Sequence, residues 1–429
     1  MRRVDWNALD SGRRAAALAR PSVVPDAERR ATVAKVMADV RARGDAAVRE
    51  LTLRFDGCDP DPLLVPAAEL DRAWETADAG VRAALTSAAA RIEAFHRAQR
   101  PEDVSLETSP GVLCERRFVP LGAVGLYAPG GSAPLVSTVL MVAVPARLAG
   151  CPVRVLATPP GRDGKIDARL LAAAKLAGIT TVIRAGGAQA IAALAYGTSS
   201  IPKVDKIFGP GNSWVAEAKR QAADDPDGAA IDLPAGPSEV LVIADDSADA
   251  GFVASDLLAQ CEHGADSQAI LATPSAVFAA KVEAELENRL KGLPRETIAR
   301  ASLMNALVAV VRNLDQALEL SEAYAPEHLI LQTREDERLA ARVRRAGAVF
   351  VGPWSPEAAG DYASGPNHVL PTGGAARAWG GLGLESFLRP LTFQRLTRAG
   401  LRAVAPDVEA LASVEGLDAH RLSVTARSA

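Results

Sequence analysis

Residues 122–158 read GAVGLYAPGGSAPLVSTVLMVAVPARLAGCPVRVLAT, and their periodicity decides the architecture. GAVGLYAP is a short apolar run closed by Gly130 and Gly131, which predicts a buried strand ending in a tight turn. PLVSTVLMVAVPARLAG is long and apolar and predicts a helix; VRVLAT predicts a second strand. Strand, helix, strand in that order needs a crossover, and hence a parallel sheet covered by helices.

The unit recurs along the chain. DARLLAAAKLAG, TTVIRAGG, AQAIAALAYG, KVDKIFGPG, NSWVAEAKRQAAD and AAIDLPAG continue it downstream. SEVLVIAD opens a second series: a helix ending at His263, QAILAT, a helix over 275–291, NALVAVVRN, a helix over 314–324, HLILQT, a helix to 345, and GAVFVG. Upstream, residues 1 to about 100 read as helices, broken at Gly57 and by Pro60, Pro62 and Pro66. The expected fold class is α/β: two Rossmann-like lobes with parallel sheets on either side of a cleft, plus small helical N- and C-terminal segments.

Composition excludes several partners. A chain of 429 residues with a formal net charge of −4 has no basic footprint for nucleic acid. The amino terminus, MRRVDWNALDSGRR, lacks the apolar segment of a signal peptide. The longest apolar run is interrupted by Ser137, Thr138, Pro145 and Arg147, which argues against a membrane span. Cys58, Cys114, Cys151 and Cys261 show neither paired spacing nor a metal knuckle, so a reduced, cytoplasmic protein is expected.

Residues able to carry chemistry cluster in the carboxyl-terminal half. In SDLLAQCEHGADSQAILAT, residues 255–273, Val253 ahead of the run and Leu257, Leu258 and Cys261 within it form an apolar stripe, and Gly264 is expected to stop the helix in a left-handed conformation. Gln260 and His263, three residues apart, share a face and could hold a metal or a polar substrate. A single histidine in a last turn, however, is more often only a helix-end partner. Glu327 and His328 stand just before an apolar strand and can act as acid and base. VGPWSPEAAGDYASGPNHVLPTGG, residues 351–374, fixes Asp361, Asn367 and His368 in a constrained loop. His96, between Phe95 and Arg97 on a helix, is expected to pack without chemistry. The dinucleotide fingerprint fails: GPGNSW at 209–214 has the first two glycines and lacks the third. Gly130 and Gly131 could receive an anion on their amides, or form only a tight turn.

Taken together, LLAQCEHGADSQAIL, PEHL, SPEAAGDYASGPNHVLPTGGAAR and VEGLDAHRLSV resemble the histidinol dehydrogenase family, zinc-containing NAD-dependent enzymes that make histidine from L-histidinol. YAPGG, RAGGAQAIAALAYGT, KIFGPGN and DLPAGPSE extend the resemblance over nearly the whole chain. It implies one zinc ion per subunit on Gln260, His263, Asp361 and His420, and an acid-base pair, Glu327 and His328. It further implies substrate contacts at Ser238, His328, His368 and Glu415 as well as at the metal ligands, and NAD contacts at Tyr127, Gln189 and Asn212. Residues 134–137 and 379–387 depart from the family's usual wording.

The expected division is an N-terminal helical segment, 1–21; an α/β domain, 22–127 and 236–380, with the metal and acid-base residues; a Rossmann-like NAD-side domain, 128–235; and a helical dimerisation tail, 381–429. In the family this tail completes the site of the partner in a homodimer. Three rivals remain: a related zinc and NAD alcohol dehydrogenase for another polar alcohol, an aldehyde dehydrogenase using Cys261 as nucleophile, and a two-lobed binding protein.

Overall fold

The computed structural model describes residues 1–21, 26–130, 134–234 and 236–428. Glu239–Ala244 is buried at every residue and is an inner strand of a six-stranded parallel sheet. In spatial order the strands are Arg2–Asp5, Leu307–Val310, Gln268–Thr273, Glu239–Ala244, His328–Gln332 and Ala348–Val351. Leucine, isoleucine, valine and alanine occupy most inner positions because helices cover both faces.

A second parallel sheet has five strands, ordered Thr181–Arg184, Val153–Thr158, Ala123–Tyr127, Lys206–Phe208 and Ala230–Ile231. The expected α/β class with parallel sheets is the observed one. The chain passes outward from Ala123–Tyr127 first in one direction and then in the other, which opens a crevice at the carboxyl ends of the strands, beside Tyr127.

Three features differ from the sequence reading. Arg2–Asp5 is a strand paired with Leu307–Val310, within a stretch expected to be helical; with only Val4 apolar in RRVD, it carries no readable alternation. The tail is not wholly helical, because Leu388–Leu396 pairs antiparallel with Val112–Pro120, which also pairs with Val104–Ser109. The two outer ribbon strands, Val104–Ser109 and Leu388–Leu396, are largely exposed, so no buried face marks them in sequence, and Pro390 is tolerated because its strand is at an edge.

The third difference is packing. Residues from helices Ala27–Arg43 and Asp45–Asp56 share a core with Tyr127, Val155 and Ile183. Residues from helices Ala67–Thr76 and Ala79–Arg97 share another with Leu126, Leu156 and Val182, on the opposite face of the same sheet. The helices between residues 27 and 97 therefore pack on the five-stranded sheet, whereas the sequence division joined 22–127 to 236–380. Helical periodicity shows that a face is buried but not which sheet buries it.

Among the described residues no helix is long and apolar enough to cross a membrane. All four cysteines are free thiols.

Candidate active site

His328 opens its strand, and the side chains of Glu327 and His328 both turn back to the first residue of the neighbouring strand, Glu239. Glu327 Oε2 accepts the Glu239 N–H at 2.9 Å. His328 Nδ1 lies 3.1 Å from the Glu239 carbonyl oxygen, which can only accept, so Nδ1 carries the proton. Nε2 is then a bare lone pair. It is buried without a hydrogen-bond partner, 3.9 Å from Asp361 Oδ1.

Gln260, fully buried in the last turn of helix Ala250–Cys261, reaches the same carbonyl. With its amide turned so that nitrogen faces acceptors, it donates to Glu239 O and to Glu357 Oε1, each at 3.2 Å. One peptide group thus indexes side chains from two further elements. The Glu239 carboxylate is itself buried, accepting Arg20 Nε at 2.5 Å, an Arg20 terminal nitrogen at 2.8 Å and the Gly373 N–H at 2.7 Å. Arg20 in turn lies 3.9 Å from the Tyr324 ring centroid.

His263 follows that helix in a turn, its N–H bonded to the Gln260 carbonyl at 3.2 Å. The helix ends at Cys261 with Glu262 as a right-handed cap, and Gly264 has no positive φ, so the expected left-handed stop is absent. His263, Glu357 and Asp361 each offer one ligand atom, all within 4.8 Å of one another. One imidazole and two carboxylates suit a borderline or hard cation, and Glu357 Oε2 is buried without a partner. The donor set fits a divalent metal.

Burial dominates the electrostatics. It raises Glu327 and Glu357 well above the usual carboxylate range, with neighbouring acidic groups adding to the shift, and lifts Asp361 to about 7. It lowers His328 to about 3, with His263 and His368 pushing the same way. His328 is therefore neutral, in the tautomer that leaves Nε2 as a proton acceptor. A cavity of about 680 Å³ opens beside it, lined among others by Asp361, His368, Asn367 and Trp354.

His368 links the two lobes: Nδ1 bonds to the Asp361 carbonyl at 2.8 Å and Nε2 to Thr138 Oγ1 at 3.1 Å. Ser238, half-buried, directly precedes Glu239. Six expected site residues, Gln260, His263, Glu327, His328, Asp361 and His368, are gathered here. Glu415 and His420 are not: both are exposed near the end of the tail, and neither lines the cavity. Glu239, Glu357 and Arg20 were missed, although Glu357 and Asp361 show a signal, two carboxylates four apart on one short helix. His96 packs as expected, with Nδ1 on the Ile92 carbonyl at 2.8 Å and Nε2 beside the Asn367 amide at 3.3 Å.

Tyr127, Gln189 and Asn212 all stand at the carboxyl edge of the five-stranded sheet, where such folds bind nucleotides. The Tyr127 hydroxyl accepts the Gly187 N–H at 3.1 Å, and Gln189 Nε2 donates to Asp56 Oδ2 at 3.3 Å. Asn212 Oδ1 caps helix Ser213–Asp224, accepting from Trp214 and Val215 at 3.0 and 3.1 Å. The turn before it is locked by a buried ion pair. Lys219 donates to Asp232 and to the Gly209 carbonyl, and Asp232 accepts the Gly209 N–H at 2.7 Å. Gly209 has φ +114°, and a Cβ there would lie 2.1 Å from the Tyr127 carbonyl oxygen, so glycine is required. Gly130 packs on Pro159; Gly131, the other half of that turn, lies outside the described residues.

Cys261 is wholly buried and its thiol is pushed up to about 11, mainly by burial, which leaves it inert as a nucleophile.

A family model described as histidinol dehydrogenase matches residues 20–428. A histidinol dehydrogenase from Xanthomonas oryzae pv. oryzae is 52% identical over 427 residues, 100% of this chain and 99% of that protein. One from Vibrio parahaemolyticus is 50% identical, covering 100% and 98%. The crystal structure of histidinol dehydrogenase from Elizabethkingia anophelis matches with a TM-score of 0.95 at 42% identity, covering 100% of this chain and 98% of that one.

Proposed function

Since this chain belongs to the histidinol dehydrogenase family and is an NAD-dependent oxidoreductase, we propose that Glu327 and His328 divide the proton transfers of a two-step oxidation of L-histidinol to L-histidine. Family and relatives favour histidinol over another polar alcohol as substrate. The observation that carries the division is the bare, buried Nε2 of His328, held in that tautomer by the Glu239 carbonyl.

His328 Nε2 receives the hydroxyl proton of the alcohol in the first step. Glu327 takes a proton from the water that adds to the aldehyde; burial raises its basicity above that of an ordinary carboxylate, which suits the task. As water adds, the proton held by His328 passes to the former carbonyl oxygen, which frees His328 to serve again as base when the hydrate is oxidised to the carboxylate. NAD, one molecule for each step, accepts hydride when bound, and Tyr127, Gln189 and Asn212 are the residues we assign to it.

Gln260, His263 and Asp361 of one subunit, with the partner subunit's His420, would hold zinc. Bound there, zinc supplies a template that orients a nitrogen-bearing substrate. Ser238 and His368 would contact that substrate, with the partner subunit's Glu415. A shared site is supported by the exposure of Glu415 and His420 on a tail that also exposes Leu411, Val414, Leu417 and Leu422. These apolar side chains suit burial in a homodimer.

The test is the purified protein with L-histidinol and NAD, scored for two NADH per histidine formed. One NADH per turnover would overturn the two-step reading.

A further inference from the structure

We propose that Glu357 is the positioning residue of the metal site, acting through Gln260. The proposal rests on the reading of Gln260 as a ligand given above, and goes beyond it by naming what makes that amide a ligand.

Glu357 opens the short helix Glu357–Tyr362, and Asp361 lies one turn further on, so the two carboxylates leave the same face. The helix lies close against strand Ala348–Val351, because a Cβ at Gly360 would be 2.6 Å from the Phe350 ring. Glu357 is 1% exposed, and its Oε1 takes one Gln260 N–H at 3.2 Å while the Glu239 carbonyl takes the other at 3.2 Å. An amide with both N–H groups bound cannot rotate, so its oxygen is the only atom left to present to a cation. Without Glu357 one N–H would be released, and the amide could turn a donor toward the ion. An amide oxygen is an uncharged ligand and depends on such orientation more than a carboxylate does.

Glu357 Oε2 has no hydrogen-bond partner, although it is buried. Glu357 also belongs to the group with His263 and Asp361 whose ligand atoms lie within 4.8 Å of one another. The Glu357 side chain is therefore placed at the edge of the metal site to hold the ligand amide with Oε1.

The experiment measures retention of Zn²⁺ by the full-length protein against a competing chelator. It compares wild type with Gln260→Ala, Glu357→Ala, the double variant and Glu357→Gln. Gln260→Ala and Glu357→Ala are each expected to weaken zinc binding by about 10–100-fold. The double variant should be no weaker than the worse single one, because both changes remove the same oriented ligand. Glu357→Gln keeps an acceptor oxygen for the Gln260 amide and should retain most of the affinity. It also preserves side-chain volume, so it reports even if Glu357→Ala folds poorly. The KM for NAD should not move in any of them.

If Gln260→Ala loses zinc while Glu357→Ala holds it at the wild-type level, the positioning role is wrong. Losses that multiply in the double variant would make Glu357 an independent ligand, and a Glu357→Gln loss as large as that of Glu357→Ala would make its charge decisive; each overturns the proposal. Full zinc retention by Gln260→Ala would instead sink the ligand reading itself, and the proposal with it.

Discussion

The backbone carbonyl of Glu239 accepts the Nδ1–H of His328 at 3.1 Å, across the pairing of two inner strands of the six-stranded sheet. The site is thus built at the amino edge of that sheet and braced by its ladder, whereas the nucleotide-side residues use the carboxyl edge of the other sheet. A base referenced to strand backbone moves only when the strands move. Because one carbonyl also receives the Gln260 amide, the acid-base and ligand residues share a frame.

Adjacent residues with separate tasks should separate in kinetics. Glu327→Gln should impair oxidation of the aldehyde more than oxidation of the alcohol, because only the aldehyde step needs activated water. His328→Asn should impair both by about 10²- to 10⁴-fold, the usual contribution of a positioned base. Single-turnover rates for L-histidinol and L-histidinaldehyde decide it; equal losses in both half-reactions of the Glu327 variant would refute the division.

Arg20 should matter for stability although it touches no expected ligand. Its guanidinium meets the Glu239 carboxylate with side-chain exposures of 14% and 3%, so removing it strands a buried charge. Arg20→Ala should cost about 3–5 kcal/mol in urea unfolding. Arg20→Lys, which cannot make the paired contact, should recover only part. A cost below about 1 kcal/mol would show that the pair is as weak as an exposed one.

Asp256 supplies a pH dependence of stability. It is buried, accepts the Gln332 amide at 2.8 Å, and is pushed up to about 7 by burial. The folded state then holds its proton more tightly than the unfolded chain, where the group titrates near about 3.9. Between those values the unfolded chain binds fewer protons, so the contribution of Asp256 to stability is greatest below about pH 4 and declines as pH rises toward about 7. Three units correspond to about 4 kcal/mol at most. Asp256→Asn keeps an acceptor for Gln332 and removes the slope, so its urea midpoint should gain on wild type from pH 5 to pH 8. A gap that stays constant with pH would exclude Asp256 as the source.

Local signals were legible and long-range ones were not. The Glu327–His328 pair could be read because it directly precedes an apolar strand, and helix Leu314–Tyr324 because its periodicity is clean and its bounds matched. Glu239 could not, since its role lies in a peptide group and any residue has one. Nor could Arg20, 219 positions from its partner. Arg2–Asp5 is a strand only because Leu307–Val310 offers an edge, a fact of tertiary structure. Gly264 misled: glycine after a helix suggests a left-handed cap, but here a turn through Glu262 and His263 ends it. Gln260 and His263 could be paired by their three-residue spacing, but Asp361 and His420 were joined to them by resemblance alone, because no spacing rule joins positions on separate elements.

The tail gives the sharpest test of the shared site. Helices Arg398–Val414 and Asp418–Ser428 pack on each other and leave Glu415 and His420 exposed, and neither lines the cavity beside His328 of the same chain. If they complete the partner's site, a two-fold dimer holds two sites, each with His328 from one chain and His420 from the other. His328→Asn and His420→Asn homodimers should both be inactive. Mixed under subunit exchange, a heterodimer then carries one site with both defects and one with neither. Random pairing makes about half of the dimers mixed, each with one intact site in two, so roughly one quarter of wild-type activity should return. Exchange is verified by native mass spectrometry with one subunit isotopically labelled. Confirmed exchange without recovery would mean that His420 serves its own chain, and that the exposed tail must fold back onto it rather than reach across.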